Sequence, residues 1–214
     1  MTKKNPIHKY YFDHPEVWEE INKGRFEREP NFIVKLFNKY GKVKCILDVG
    51  CGTGSHLYKL NRLGFDGVGI DLNEKTFSYN LSNEDILTSL NGFMKALKNK
   101  GFLIIDVLNP IGFIHKVEFK EKIKSVNEKI GLRFETKHKV DENKQILTET
   151  RIVYSLKDNQ RIQSDTTSFR LFFPQEIKFF LESAGFKFLS FYGDYDLNHK
   201  RLDRVRLITV SQKP

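Results

Sequence analysis

The segment from Lys44 to Asn73, KCILDVGCGTGSHLYKLNRLGFDGVGIDLN, constrains the fold of this chain more than any other. Cys45-Ile-Leu-Asp-Val49 has the composition of a buried strand. Gly50, Gly52 and Gly54 follow at every second position, where missing Cβ atoms let the backbone turn sharply and a ligand approach closely. Ser55 is a suitable helix N-cap, Leu57, Leu60 and Leu63 give the next helix an apolar stripe, and Gly64 can end it. Val68-Gly-Ile-Asp71 then reads as a second parallel strand reached by a crossover. Its carboxylate falls at the carboxyl end, where open α/β sheets bind ligands. This is half of a nucleoside-binding site.

A dinucleotide fingerprint needs G-x-G-x-x-G and an acid about 20 residues further on. Here the third glycine comes one residue early, and Asp48 precedes the turn. The string D-x-G-x-G-x-G with an acid closing the next strand resembles the cofactor site of the class I S-adenosylmethionine-dependent methyltransferases. The alternative is an α/β turn without a ligand. An acid beside the turn suits a sulfonium-bearing nucleoside, which has no phosphates to cradle. The resemblance implies an α/β fold: a Rossmann-like sheet with helices on both faces, plus a small inserted antiparallel β-sheet. It implies S-adenosylmethionine as cofactor, with Asp48 and Gly50, Cys51, Gly52 and Gly54 at the methionine end, Asp71 on the ribose and Leu72 on the adenine.

The chain has 214 residues, enough for one domain with an elaboration and a sizeable core. A net charge of +9 permits nucleic-acid contact, but the charge is spread rather than massed. Only Cys45 and Cys51 occur, which implies no disulfide framework and fits a reduced, cytoplasmic setting. The N-terminus lacks an apolar h-region and no run approaches 18 apolar residues, so neither secretion nor membrane spanning is expected.

Residues 1–43 read as helical. Val17, Trp18 and Ile21 share a face, and Pro30 is placed to open a second helix with Phe32, Ile33, Leu36, Phe37 and Tyr40 as its stripe. A helix pair packed on the sheet is the plain expectation. In the small-molecule methyltransferases that the chain is similar to, such a segment folds over the ligands as a lid. The resemblance puts Tyr10, Tyr11 and Trp18 there, with Tyr11 at both cofactor and substrate.

After Lys75 the chain departs from that family. Thr76-Phe-Ser-Tyr-Asn-Leu81 belongs, by the resemblance, after a fourth strand, so roughly 35 residues of βαβ structure are skipped at the join. Three explanations stand: a segment of the natural protein missing from this sequence, a natural deletion with a rearranged sheet, or a misleading resemblance. Both flanks match the family and only the join does not, which favours the first.

Beyond the join, Ser82-Asn-Glu-Asp85 starts a helix with Ile86, Leu87, Leu90, Phe93, Met94 and Leu97 on one face. Phe102 to Leu108 is a continuous apolar run suited to a central strand. Lys116 to Lys139 reads as a solvated charged face. Residues 132–134, 146–154 and 161–173 read as three antiparallel strands. Pro174 opens a helix that Gly185 stops, and 187–192 with 205–210 form a closing strand pair. The expected division is a lid over 1–43, a methyltransferase core over 44–111 and 174–214, and an inserted sheet over 112–173 that covers the substrate site and could mediate a homodimer; a monomer is the other possibility.

The resemblance is to sugar-amine and glycine or sarcosine N-methyltransferases. It implies methyl transfer to a small-molecule acceptor at an amine nitrogen, with Tyr11, Asn109 and Arg170 as substrate-site candidates. An oxygen acceptor would want a base, and His14, His115 and His138 qualify by chemistry but not by spacing. No His/Cys cluster has metal-ligand spacing. RNA methylation and a non-catalytic scaffold are the alternatives.

Overall fold

The computed structural model describes residues 9–71, 77–112, 122–199 and 201–214. Leu72, the join at 75–76 and His115 lie outside them. Helix α1 is Lys9–Asp13 and α2 is Pro15–Tyr40. Strands β1 (Cys45–Val49) and β2 (Asp66–Ile70) flank α3 (Ser55–Arg62). A 3-10 turn at Phe77–Tyr79 leads into α4 (Asn83–Ala96) and β3 (Phe102–Leu108). Four strands follow: β4 (Lys122–Asn127), β5 (Leu132–Asp141), β6 (Ile146–Ser155) and β7 (Arg161–Arg170). Helix α5 (Pro174–Ser183), β8 (Lys187–Tyr192) and β9 (Arg206–Gln212) close the chain.

Several expectations need revision: Gly54, not Ser55, is the N-cap of α3 and no side chain caps it, β1 is largely exposed rather than buried, and among the described residues β3 is an edge strand of its sheet rather than a central one. Pro30 does not open a helix; α2 runs through it. A proline here removes one backbone donor, and the helix is held through that point by burial of Glu29, Pro30 and Phe32. The charged stretch contains a strand, β4, whose Lys124 and exposed Val126 make a solvated outer edge of the inserted sheet.

β3, β9 and β8 form one antiparallel sheet with helices on both faces. On one face Phe32 and Leu36 of α2 meet Tyr192, Ile208 and Val210. On the other, Ile86 and Leu90 of α4 and Ile177, Phe180 and Leu181 of α5 bury Ile105, Val107 and Leu207. Sequence dictates both ends of α4: the Ser82 hydroxyl accepts from the Asp85 amide, and the Phe93 carbonyl accepts from Leu97.

β1 and β2 pair in parallel, Cys45 with Asp66 through Val49 with Ile70. Gly67 and Gly69 are required there for space. A Cβ on Gly67 would lie 2.6 Å from Leu57 Cδ2, and one on Gly69 would lie 2.6 Å from Cys51 Sγ. Their absence lets α3 settle on β2.

No ladder joins β1 to β3 among the described residues. The C-terminal end of α2 touches both units: Phe37 meets Phe65 at 5.3 Å between ring centroids, and Tyr40 meets Phe102 at 6.2 Å. Parallel strands are normally covered on both faces. Here Leu47, Val49, Val68 and Ile70 are 38–58% exposed. Among the described residues this two-stranded unit is thus a sheet of its own.

The inserted sheet runs β4-β5-β6-β7, all antiparallel. α1 and the first turn of α2 dock on it: Tyr10 and Tyr11 of α1 and Val17 of α2 form a cluster with Leu132, Phe134 and Val153. The expected lid therefore packs on the expected roof.

Candidate active site

The glycine turn is built by backbone conformation. Gly50, Gly52 and Gly54 have φ of 83°, 53° and 81°, a region that side chains with a Cβ adopt at a cost. Added Cβ atoms on Gly52 and Gly54 would meet nothing within 4 Å. Here the glycines relieve no contact with the chain; they leave an open approach. The Gly50 amide donates to the Ile70 carbonyl at 2.8 Å, and the Gly52 amide donates to Asp71 Oδ2 at 2.6 Å. The acid closing β2 thus fixes the turn that leaves β1.

Asp48 is half-buried, with no hydrogen bond or ion pair among the described residues. Burial pushes its carboxyl up; His56 opposes this and the charge of Asp71 adds to it. Burial, Asp48 and Asp71 also push the Cys51 thiol up, which disfavours its thiolate. An electronegative, open turn with an unpaired carboxylate fits the cationic methionine end of S-adenosylmethionine.

Behind the turn lies a line of paired charges that composition does not reveal. His56 Nε2 is 2.8 Å from Glu29 Oε2, and Arg25 Nε donates to Glu29 Oε1 at 2.6 Å. On β3, Asp106 accepts from Arg206 Nε at 2.8 Å and from the Tyr195 hydroxyl. Burial raises the Asp106 carboxyl against the pull of Arg206, and burial with Asp106 raises Tyr195. These groups brace α2 against α3 and β3 against β9.

A second polar cluster lies between α1 and the inserted sheet. Arg151 Nη1 donates to the Tyr11 hydroxyl at 2.6 Å, and Nη2 donates to Glu149 Oε1 at 2.8 Å. His138 Nε2 lies 3.0 Å from Glu149 Oε2. Beside them is a cavity of 370 Å³ lined by Tyr11, Glu20, Phe134, Thr136 and Arg151 among others. Tyr79 is held by Phe169, ring centroids 5.2 Å apart. Burial and the charge of Glu149 push its phenol up to about 12, with Arg151 opposing and Asp71 adding.

The structure brings Asp48, the turn glycines, Cys51 and Asp71 together. Tyr11 is placed on the roof cluster. Asn109 and Arg170 have other engagements: the Asn109 amide donates to the Leu202 and Arg204 carbonyls at 2.9 and 2.8 Å, and Arg170 donates to Glu176 at 2.6 Å and to the Leu81 carbonyl at 3.3 Å. Both act as braces, Asn109 of the loop before β9 and Arg170 of the start of α5. His14 pairs with Glu16 at 3.2 Å. Arg151 and Glu149 escaped the sequence reading; the alternation Leu147, Glu149, Arg151, Val153 on one face of β6 was the available signal. Among the described residues no group of three His, Cys, Asp or Glu side chains is disposed to hold a metal ion. Nor is any helix among them long and apolar enough to cross a membrane.

No family model matches the chain. Its fold is that of the S-adenosylmethionine-dependent methyltransferases, as solved structures below 25% identity show. One is such a methyltransferase from Clostridium acetobutylicum, with a TM-score of 0.71 at 10% identity over 95% of this chain and 98% of that one. Another is the sugar N-methyltransferase KedS8 from Streptoalloteichus, TM-score 0.71 at 13% identity over 98% and 94%. A third is CalS10 with S-adenosylmethionine bound, an amino pentose methyltransferase from Micromonospora echinaspora, TM-score 0.62 at 15% identity over 92% and 97%. A Geobacillus sp. (strain WCH70) protein provisionally named a methyltransferase is 39% identical over 56 residues, 25% of this chain and 23% of its own length.

Proposed function

We propose that the chain binds S-adenosylmethionine at the Gly50–Gly54 turn and transfers its methyl group to an amine nitrogen of a small molecule. The observation that carries this reading is the open turn of positive-φ glycines anchored by Asp71, set in a methyltransferase fold. Gly50, Gly52, Gly54, Cys51 and Asp48 would hold the methionine end, Asp71 the ribose and Leu72 the adenine. When bound, the cofactor supplies an already activated methyl group, so the protein's part is alignment and exclusion of water. Tyr11, on the lid, lines the cavity beside Arg151, where it would flank an acceptor. An amine arriving deprotonated needs no general base, and the raised Tyr79 phenol stays protonated and able to donate near neutral pH.

The neighbours that methylate amino sugars support a small-molecule nitrogen acceptor. We infer the same division of labour as the sequence implies: lid over 1–43, cofactor core over 44–111 and 174–214, and roof over 112–173, with a cytoplasmic setting. Isothermal titration with S-adenosylhomocysteine, followed by methyl transfer from labelled cofactor to amino sugars and small amino acids, tests this reading. A second reading, a non-catalytic binding protein with this fold, is favoured by one observation, the exposed apolar β1/β2 unit. Absence of S-adenosylhomocysteine binding would select it.

A further inference from the structure

α2 carries a carboxylate to the cofactor turn from far upstream in the chain. The hydroxyls of Thr53 and Ser55 both donate to Glu19 Oε1, which ties the lid helix to the residues that open α3. The Thr53 and Ser55 hydroxyl oxygens lie 3.0 Å apart, side by side on that one carboxylate oxygen. The second oxygen, Oε2, has no hydrogen-bond partner among the described residues, and no cation among them pairs with Glu19. Glu19 is half-buried, yet the other carboxylates of this part of α2 are paired: Glu20 with Lys129, Glu27 with Lys59 and Glu29 with Arg25 and His56. Asp48, which precedes the same turn, is also without a cation among the described residues, and the space over Gly52 and Gly54 is open.

We propose that Glu19 is a cofactor-binding residue, which receives the α-ammonium of the methionine moiety on its free oxygen while its other oxygen holds the turn. The proposal rests on the assignment of the turn to S-adenosylmethionine. It gives the lid a direct means of sensing the cofactor: the same side chain bonds the turn and the ligand, so α2 is fastened over the turn when the ammonium is present. The bland role for Glu19 is a surface contact at the positive N-terminal end of α3, and the two roles differ in what they do to ligands with and without an amino acid portion.

The test uses the full chain, Glu19→Gln, and two probes, S-adenosylhomocysteine and 5′-methylthioadenosine. Both carry the adenosine; only the first carries the ammonium. Glutamine keeps an acceptor for Thr53 and Ser55 and removes the charge, and thermal melting verifies the fold. The proposal expects the affinity for S-adenosylhomocysteine to fall roughly tenfold, the size of one charge-assisted hydrogen bond, with 5′-methylthioadenosine changed less than about twofold. Equal weakening of both probes overturns it in favour of the purely structural contact, and unchanged or tighter binding of S-adenosylhomocysteine overturns it outright. Failure of the unaltered protein to bind either probe overturns the methyltransferase reading itself, a result separable from all of these.

Discussion

Glu29 offers a quantitative check on how α2 is held against the cofactor turn. Its carboxylate is buried at 4% exposure and sits between Arg25 and His56. Burial alone would raise its pKa, but the hydrogen bonds from His56 and Arg25 outweigh burial and lower it from 4.5 to about 2. Each pKa unit corresponds to 1.36 kcal/mol, so the ionised group contributes about 3 kcal/mol of stability. The sign follows from linkage. A depressed carboxyl pKa stabilises the fold above the unfolded value of 4.5 and loses that contribution as pH falls toward 2. Glu29→Gln should therefore cost about 3 kcal/mol in urea denaturation at pH 7, and the gap to the unaltered protein should narrow to about 2 kcal/mol by about pH 3.5. A gap below about 0.5 kcal/mol at pH 7, or one that does not narrow on acidification, would refute the assignment of this buried triad as a structural clamp.

Other expectations are independent of that triad. Gly52→Ala places a side chain at φ 53° in open space, so its melting temperature should fall only slightly while S-adenosylhomocysteine affinity drops more than about tenfold; a retained affinity in calorimetry would show that ligands do not approach there. Phe172→Ala empties a fully buried position stacked on Phe77 and should cost about 3–5 kcal/mol in urea unfolding. Tyr11→Phe removes the acceptor of the Arg151 bond and should lower the calorimetric melting temperature by about 2–4 °C. Amides of β1 and β2 should exchange with deuterium faster than those of β3 and β9, because a two-stranded unit with exposed Leu47, Val68 and Ile70 opens at lower cost than a strand packed between helices.

Local signals were the most legible. The D-x-G-x-G-x-G string and the Asp71 carboxylate were readable because conformation and chemistry there depend on a few adjacent residues, and the structure joins them through the Gly52 amide. The capping residue Ser82, the apolar run of β3 and the Pro174 helix were legible for the same reason. Pairings between distant segments were not. Nothing in the string around Glu149 and Arg151 announces that strand pairing places them under Tyr11, and nothing around Arg170 announces that Glu176 engages it. β4 was hidden because an edge strand exposes lysines as a charged loop does. Pro30 misled because tertiary burial overrode its local preference to start a helix.

Among the described residues β1 and β2 form a sheet separate from β3, β9 and β8, so the glycine turn stands on a two-stranded unit. This sharpens the choice between enzyme and binding protein. On the proposed reading, a turn standing on this exposed strand pair holds a ligand only if α2 and α3 keep it in place, as the Arg25–Glu29–His56 triad and the Glu19 contacts do.

The most direct measurement is isothermal titration of the 214-residue protein with S-adenosylhomocysteine. The account expects saturable binding at one site per chain, lost in the Gly52→Ala protein while the fold persists. A folded protein that takes up no S-adenosylhomocysteine would contradict the assignment of the Gly50–Gly54 turn as a cofactor site, and with it the methyltransferase function.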